Sequence, residues 1–152
     1  MFRKSEAKDC RAIYDLICDM ERKQLPSAVF EKMYETQLER QDMYCLLLEE
    51  NGAVQAMLNL RFEEQLHHCE KIAEIMEFVV DASCRRAGLG KEVLAEACRI
   101  AVSFGCSQIE VACNQLRKDT HRFYEREGMH NFHYKFSKRL SGADNGNNVL
   151  GR

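Results

Sequence analysis

A chain of 152 residues with 45% hydrophobic side chains can bury one sizeable core and is excluded from the disordered class. A formal net charge of −2, a sequence pI near 6.2 and no basic block longer than three residues leave no electrostatic footprint for a nucleic-acid partner. The longest apolar runs are about six residues, far below the roughly 20 that span a membrane, so no membrane partner is expected.

Met1 to Glu6 lacks an apolar signal core, which predicts a cytoplasmic location. A short strand is expected at Phe2-Arg3. Asp9 is placed to cap a helix carrying Ile13, Leu16, Ile17 and Met20 at helical spacing. Pro26 predicts the opening of a second helix, with Phe30, Met33, Tyr34 and Leu38 on one face. Met43 to Leu48, the Asn51-Gly52 turn and Ala53 to Phe62 read as a β-hairpin. Gln65 to Lys71 reads as a polar break, and Glu74 to Val80 as the next strand. Gly88 to Phe104 is the strongest helical pattern, with Val93, Leu94, Ala97, Ile100, Ala101 and Phe104 on its apolar stripe and Gly105 as its stop. A strand over Gln108 to Cys113, a helix over Lys118 to Glu127 and a strand over His130 to Phe136 follow. Ser141 to Arg152, rich in Gly, Asn and Ser, reads as a flexible tail.

The order predicts an α/β protein with a central mixed β-sheet of about six strands flanked by four helices, because strand-helix-strand units pair in parallel and the hairpin is antiparallel. One domain is expected over residues 1–140, with the tail at 141–152. The eight cysteines form no C-x-x-C pair and sit mostly in apolar-periodic segments, as buried free thiols do.

Val80 to Lys91 runs from a strand through a two-glycine loop into the long helix. A helix start carries unpaired N–H groups and partial positive charge, glycines allow close approach, and Arg85, Arg86 and Lys91 add cations. A phosphate or pyrophosphate is therefore expected here. A phosphate-binding G-x-x-x-x-G-K-[ST] loop fails at Arg85 and Glu92, and a dinucleotide fingerprint fails at Val93. The spacing R-x-x-G-x-G, Arg85 to Gly90, resembles the pyrophosphate loop of the GNAT acetyltransferases, and the element order resembles their fold. Asn114 after a strand, then Phe123-Tyr124, then Gly128, strengthens the resemblance.

The resemblance implies acetyl-CoA as co-substrate and a small primary amine as acceptor. It implies pantetheine contacts at Phe78, Val79 and Val80, and pyrophosphate contacts across Arg85, Arg86, Ala87, Gly88, Leu89, Gly90 and Lys91. Asn114 and Phe123 complete the cofactor set, and Tyr124 falls beside the sulfur, where a phenol can protonate the leaving thiolate. Ala82 stands where many relatives have proline, and Arg86 where many have glycine, which bears on loop rigidity. Narrower stretches are similar to the aminoalkylphosphonate N-acetyltransferases: residues 12–18, His67-His68, residues 73–80 and residues 121–128. An aminoalkylphosphonate acceptor is then expected, its anionic head met by Arg61, His67 or His68.

An amine must lose a proton before it attacks, and Glu77 or Glu74 can take it. Their odd separation points them to opposite faces of an ideal strand, unless a bulge intervenes. Glu77 is the preferred base. The residues supply no metal-ligand pattern, so no metal site is assigned, although a divalent metal is left open. A homodimer is left open in the same way. Polyamines, aminoglycosides or a protein N-terminus remain alternative acceptors, and a non-catalytic acyl-CoA sensor is the alternative from another class.

Overall fold

The computed structural model describes residues 1–85 and 88–141. The chain divides into two compact units, Met1–Val111 and the part from Ala112 onward.

In the first unit, β1 (Phe2–Lys4) leads through a short 3-10 turn into α1 (Cys10–Glu21) and α2 (Ser27–Glu39). Asp9 precedes α1 but does not cap it through its side chain. Its carboxylate accepts two bonds from the Arg3 guanidinium, at 2.7 and 2.8 Å, and one from the Glu6 N–H at 2.8 Å. Asp9 thus ties β1 to the start of α1, and the Arg3 charge holds its carboxyl below the usual range. Pro26 sits one position before α2, at its cap.

Strands β2 (Met43–Glu50), β3 (Ala53–Gln65) and β4 (Glu70–Val80) form an antiparallel meander, and β1 pairs antiparallel with β2. Asn51 and Gly52 both take positive φ, 53° and 77°, which is the backbone a two-residue hairpin turn requires. The sheet order is β1-β2-β3-β4-β5, with β5 (Gln108–Val111) parallel to β4 after α3 (Leu89–Ser103) crosses over. The α/β class with a mixed sheet is as expected.

Side chains alternate across the pleat. Leu47, Met57 and Val79 form one core cluster with Ile13 and Leu16 of α1 and Tyr34 of α2. Tyr44 and Phe62 face the other way and meet Phe104 at the end of α3, with ring centroids at 5.9 and 4.3 Å. The predicted stripe of α3, Val93, Leu94, Ala97, Ile100 and Ala101, is buried together with Leu89. Gly105, at φ 82°, closes α3 as expected.

Two boundaries moved. The predicted polar break, Gln65 to Lys71, is shorter than expected: β3 runs to Gln65 and β4 starts at Glu70, with Glu63 opposite Ile72 and Glu64 opposite Lys71. Cross-strand pairing outweighs the low strand propensity of these charged residues. The turn between the strands is only residues 66–69.

The second unit holds α4 (Lys118–Arg126), which a left-handed Gly128 follows. The strand expected over His130 to Phe136 is not formed, so the described sheet has five strands. His130 and Phe132 stack at 5.4 Å, and Phe132, Tyr134 and Phe136 are largely exposed. Alternation gave this segment one aromatic face, but a strand also needs a ladder partner, and among the described residues none pairs with it. The tail from residue 142 lies outside the described residues.

All eight cysteines are free; Cys106 is buried and Cys69 exposed. Among the described residues, no helix is long and apolar enough to cross a membrane.

Candidate functional site

The site of the first unit is built on β4. Its pairing with β5 covers only Ile72 to Ile75, opposite Gln108 to Val111. From Glu77 to Val80 the strand remains paired to β3, but no described strand occupies its other side. Phe78, Val79 and Val80 lie on this half. A strand edge that outruns its neighbour can receive an extended amide-bearing molecule as an added strand.

At the end of β4 the chain turns into the glycine loop. Asp81 Oδ1 accepts from the Ser83 N–H at 2.7 Å and from Ser83 Oγ at 2.6 Å, and its carboxyl is held low by these bonds. The Asp81–Ser83 turn, with Ala82 at its centre, fixes the entry to the loop. Arg85 is extended and exposed, while Arg86 and Ala87 lie outside the described residues. Gly88 caps α3 with φ 90°, a left-handed conformation that favours glycine. The first helical bond runs from the Glu92 N–H to the Gly88 carbonyl at 3.0 Å, so the amides of Leu89, Gly90 and Lys91 precede the ladder. Such amides, at the positive end of a 15-residue helix, are suited to an anion.

The bulge that the two glutamates required is present. Ile75 pairs with Leu60 and Glu77 with Asn59, leaving Met76 as the extra residue. Glu74 opposes Arg61 and Glu77 opposes Asn59, and Asn59 and Arg61 are two apart on β3. Both glutamates therefore lie on the face that packs against α1 and α2. Their environments differ. Glu74 accepts from Arg61 Nη2 at 2.7 Å, and Arg61 also lies 3.5 Å from Glu63. Glu77 forms no ion pair among the described residues; it accepts from Asn59 Nδ2 at 2.9 Å. Burial pushes the Glu77 carboxyl up, and the Asn59 bond opposes that shift.

His67 and His68 are in the 66–69 turn, with rings 4.2 Å apart. That turn precedes Glu70, and roughly 20 Å of strand separates it from Glu77 at about 3.3 Å per residue. The structure therefore does not bring these histidines together with Glu77, whereas Arg61 shares its face. An acceptor whose amine and anionic head are a few bonds apart cannot reach both. No group of three or more His, Cys, Asp or Glu suited to a metal occurs among the described residues.

In the second unit, Asn114 Oδ1 accepts from the Leu116 N–H at 2.8 Å, and the Asn114 carbonyl lies 2.7 Å from His121 Nε2. Asn114 thus shapes the turn into α4. Tyr124 is buried on α4, with its ring 5.3 Å from that of Phe123. Burial, followed by the nearby Cys113 thiol, pushes its phenol up to about 12, with Arg117 opposing. The phenol therefore carries its proton throughout the ordinary working range.

Sequence reasoning missed Asn59 and Gln37. Asn59 is only 6% exposed, and its Nδ2 also donates to Gln37 Oε1 of α2 at 3.0 Å. The available signal was a lone amide inside the apolar run Met57-Leu58-Asn59-Leu60, because a buried polar group needs partners.

β4 outruns β5 and leads into a glycine-opened helix. Residues 10–129 match the Acetyltransferase (GNAT) family, and the chain belongs to it. It is 33% identical over 138 residues to a curated aminoalkylphosphonate N-acetyltransferase of Salmonella typhimurium, covering 91% of this chain and 90% of that one. Among solved structures it is similar to glucosamine-6-phosphate N-acetyltransferase from Arabidopsis thaliana, at TM-score 0.77 and 26% identity over 93% of this chain and 98% of that one. An aminoglycoside N-acetyltransferase in complex with CoA shares the fold, at TM-score 0.81 and 12% identity over 92% of this chain and 93% of that one. The chain is an acetyl-CoA-dependent N-acetyltransferase.

Proposed function

We propose that the protein transfers acetyl from acetyl-CoA directly to a small primary amine, with Glu77 as the base. The observation that carries this reading is a half-buried carboxylate, pushed up by burial, on the bulged strand that runs into the glycine loop. A raised carboxyl is the better proton acceptor near neutrality. The stretch of β4 from Glu77 to Val80 receives the pantetheine arm beside Phe78, Val79 and Val80, and the amides from Arg86 to Lys91 receive the pyrophosphate. Arg85 adds positive charge at the loop. The amine nitrogen attacks the thioester carbonyl carbon while Glu77 takes a proton from the amine. The tetrahedral intermediate collapses, the C–S bond breaks, and Tyr124 protonates the departing thiolate. No acyl-enzyme is formed, so no cysteine is assigned a covalent role. Glu74, held by Arg61, is the weaker candidate for the base.

Tyr124→Phe tests the acid. It should keep the fold and the acetyl-CoA affinity, and lower kcat by about 10²-fold below the thiol pKa, at the lower end of general-acid effects. The loss should shrink at high pH, where the thiolate leaves unprotonated. A fall in thermal stability with an unchanged pH–rate profile would assign this tyrosine to packing alone.

The acceptor we propose is an aminoalkylphosphonate, on the strength of the curated relative. Arg61 is the residue on the Glu77 face that can meet the anionic head, by exchanging one of its carboxylate partners for the phosphonate. Aminoalkylphosphonates should then exceed matched alkylamines in kcat/KM. Arg61→Ala should reduce that ratio by about 10- to 100-fold, the worth of one charge-assisted bond. Equal rates with and without the anionic head in the wild type would remove the phosphonate and leave the acetyltransferase. We place the protein in the cytoplasm, where its free thiols stay reduced. We take it to be a homodimer, the exposed aromatic face of Phe132, Tyr134 and Phe136 being the support.

A further inference from the structure

We propose that Asn59, oriented by Gln37, is the positioning residue for Glu77: its amide holds the carboxylate in the attitude from which it accepts the proton of the amine. This rests on the assignment of Glu77 as base. Asn59 is the cross-strand partner of Glu77 at the bulge, where the strand bends and a side chain is free to swing. One amide nitrogen serves two acceptors, Glu77 Oε2 at 2.9 Å and Gln37 Oε1 at 3.0 Å. An amide can flip, and the flipped form would set its carbonyl oxygen against the carboxylate. With its carbonyl toward Asn59, Gln37 stabilises the orientation that presents the NH2 group to Glu77. A residue on α2 therefore decides how a residue on β4 is held, through a side chain buried between them.

Asn59 also acts on the charge of Glu77, since its bond opposes the effect of burial. The other groups around Glu77 do not replace it. From β2, Cys45 is cross-strand to Asn59, and its thiol, pushed up to about 12 chiefly by burial, stays neutral. From β3 and β4, Arg61 and Glu74 are spent on each other. From α2 the contact is the neutral Gln37 amide.

The test is the ratio of variant to wild-type kcat/KM as a function of pH, in which the titration of the acceptor cancels. For Asn59→Ala the ratio should stay well below unity at high pH, where only the lost orientation of the ionised carboxylate counts, and fall further on the acid side, by about tenfold for each unit that the Glu77 ionisation moves upward. Gln37→Ala, on a helix surface where the fold tolerates it, should show a smaller fall in the same direction. In a Glu77→Gln background neither change should add any pH dependence. If Glu77→Gln itself leaves the acid limb intact, the base assignment fails. If Glu77→Gln removes the limb but Asn59→Ala and Gln37→Ala leave the high-pH plateau at the wild-type level, the positioning role is overturned. Should Asn59→Ala fail to fold, the Gln37→Ala profile decides alone.

Discussion

Glu77→Gln should lower kcat/KM by roughly 10²–10⁴-fold at neutral pH, the range of a lost general base, with the deficit narrowing as pH rises and free amine accumulates. The same substitution should raise thermal stability at pH 8. Burial favours the protonated form, so the folded carboxyl titrates above its unfolded value. The stability this contributes is full below the unfolded value of about 4.3 and is lost as pH rises through the folded one. The amide of the variant carries no such cost and still accepts from Asn59. Its advantage should therefore vanish near pH 4. Lower activity with higher stability is the trade expected of a buried functional carboxylate, whereas a glutamate outside the chemistry would gain stability with activity kept. Thermal melts and steady-state rates at three pH values check it. If Glu74→Gln carries the loss instead, the two roles exchange.

Gly90→Asp should weaken acetyl-CoA binding by on the order of 100-fold, the loss of about 2–3 kcal/mol of charge-assisted bonding to phosphate plus repulsion. The position lies in the first turn of α3. A carboxylate there favours the helix through its dipole, so stability should hold or rise while binding is lost. Gly88→Ala is a milder companion. Nothing lies within 4 Å of the added Cβ, but φ at 90° strains any side chain, so the loop should shift with a partial loss of affinity. Titration calorimetry against acetyl-CoA reads both. Unchanged affinity in a folded Gly90→Asp protein would remove the pyrophosphate from this loop.

Those elements whose local chemistry and tertiary contacts agree were legible in the sequence. Asn51-Gly52 announced its hairpin because both positions need positive φ, and Gly105 announced the end of α3 for the same reason. The stripe on α3 was readable because its period matches the face it buries. Features that depend on pairing were not readable. The start of β4 at Glu70 follows from the ladder with β3, against the propensity of Glu63, Glu64 and Lys71. The bulge at Met76, which brings Glu74 and Glu77 to one face, is a property of register; the sequence could name it only as a condition. At His130 to Phe136 the alternation was real, but it described a face and not a partner. The site divides in the same way. The helix start that Gly88 opens was legible from spacing, whereas Asn59 and Gln37 are distant in sequence and meet only through the packing of α2 on the sheet.

Steady-state release of CoA thiol from acetyl-CoA, with and without a panel of primary amines that includes an aminoalkylphosphonate, tests the central claim most directly. The account predicts amine-dependent release in step with formation of the N-acetyl product, saturable in both substrates and suppressed by Glu77→Gln. Tight acetyl-CoA binding with no release above background for any amine would contradict it, and would leave a protein that senses acyl-CoA without transferring the group.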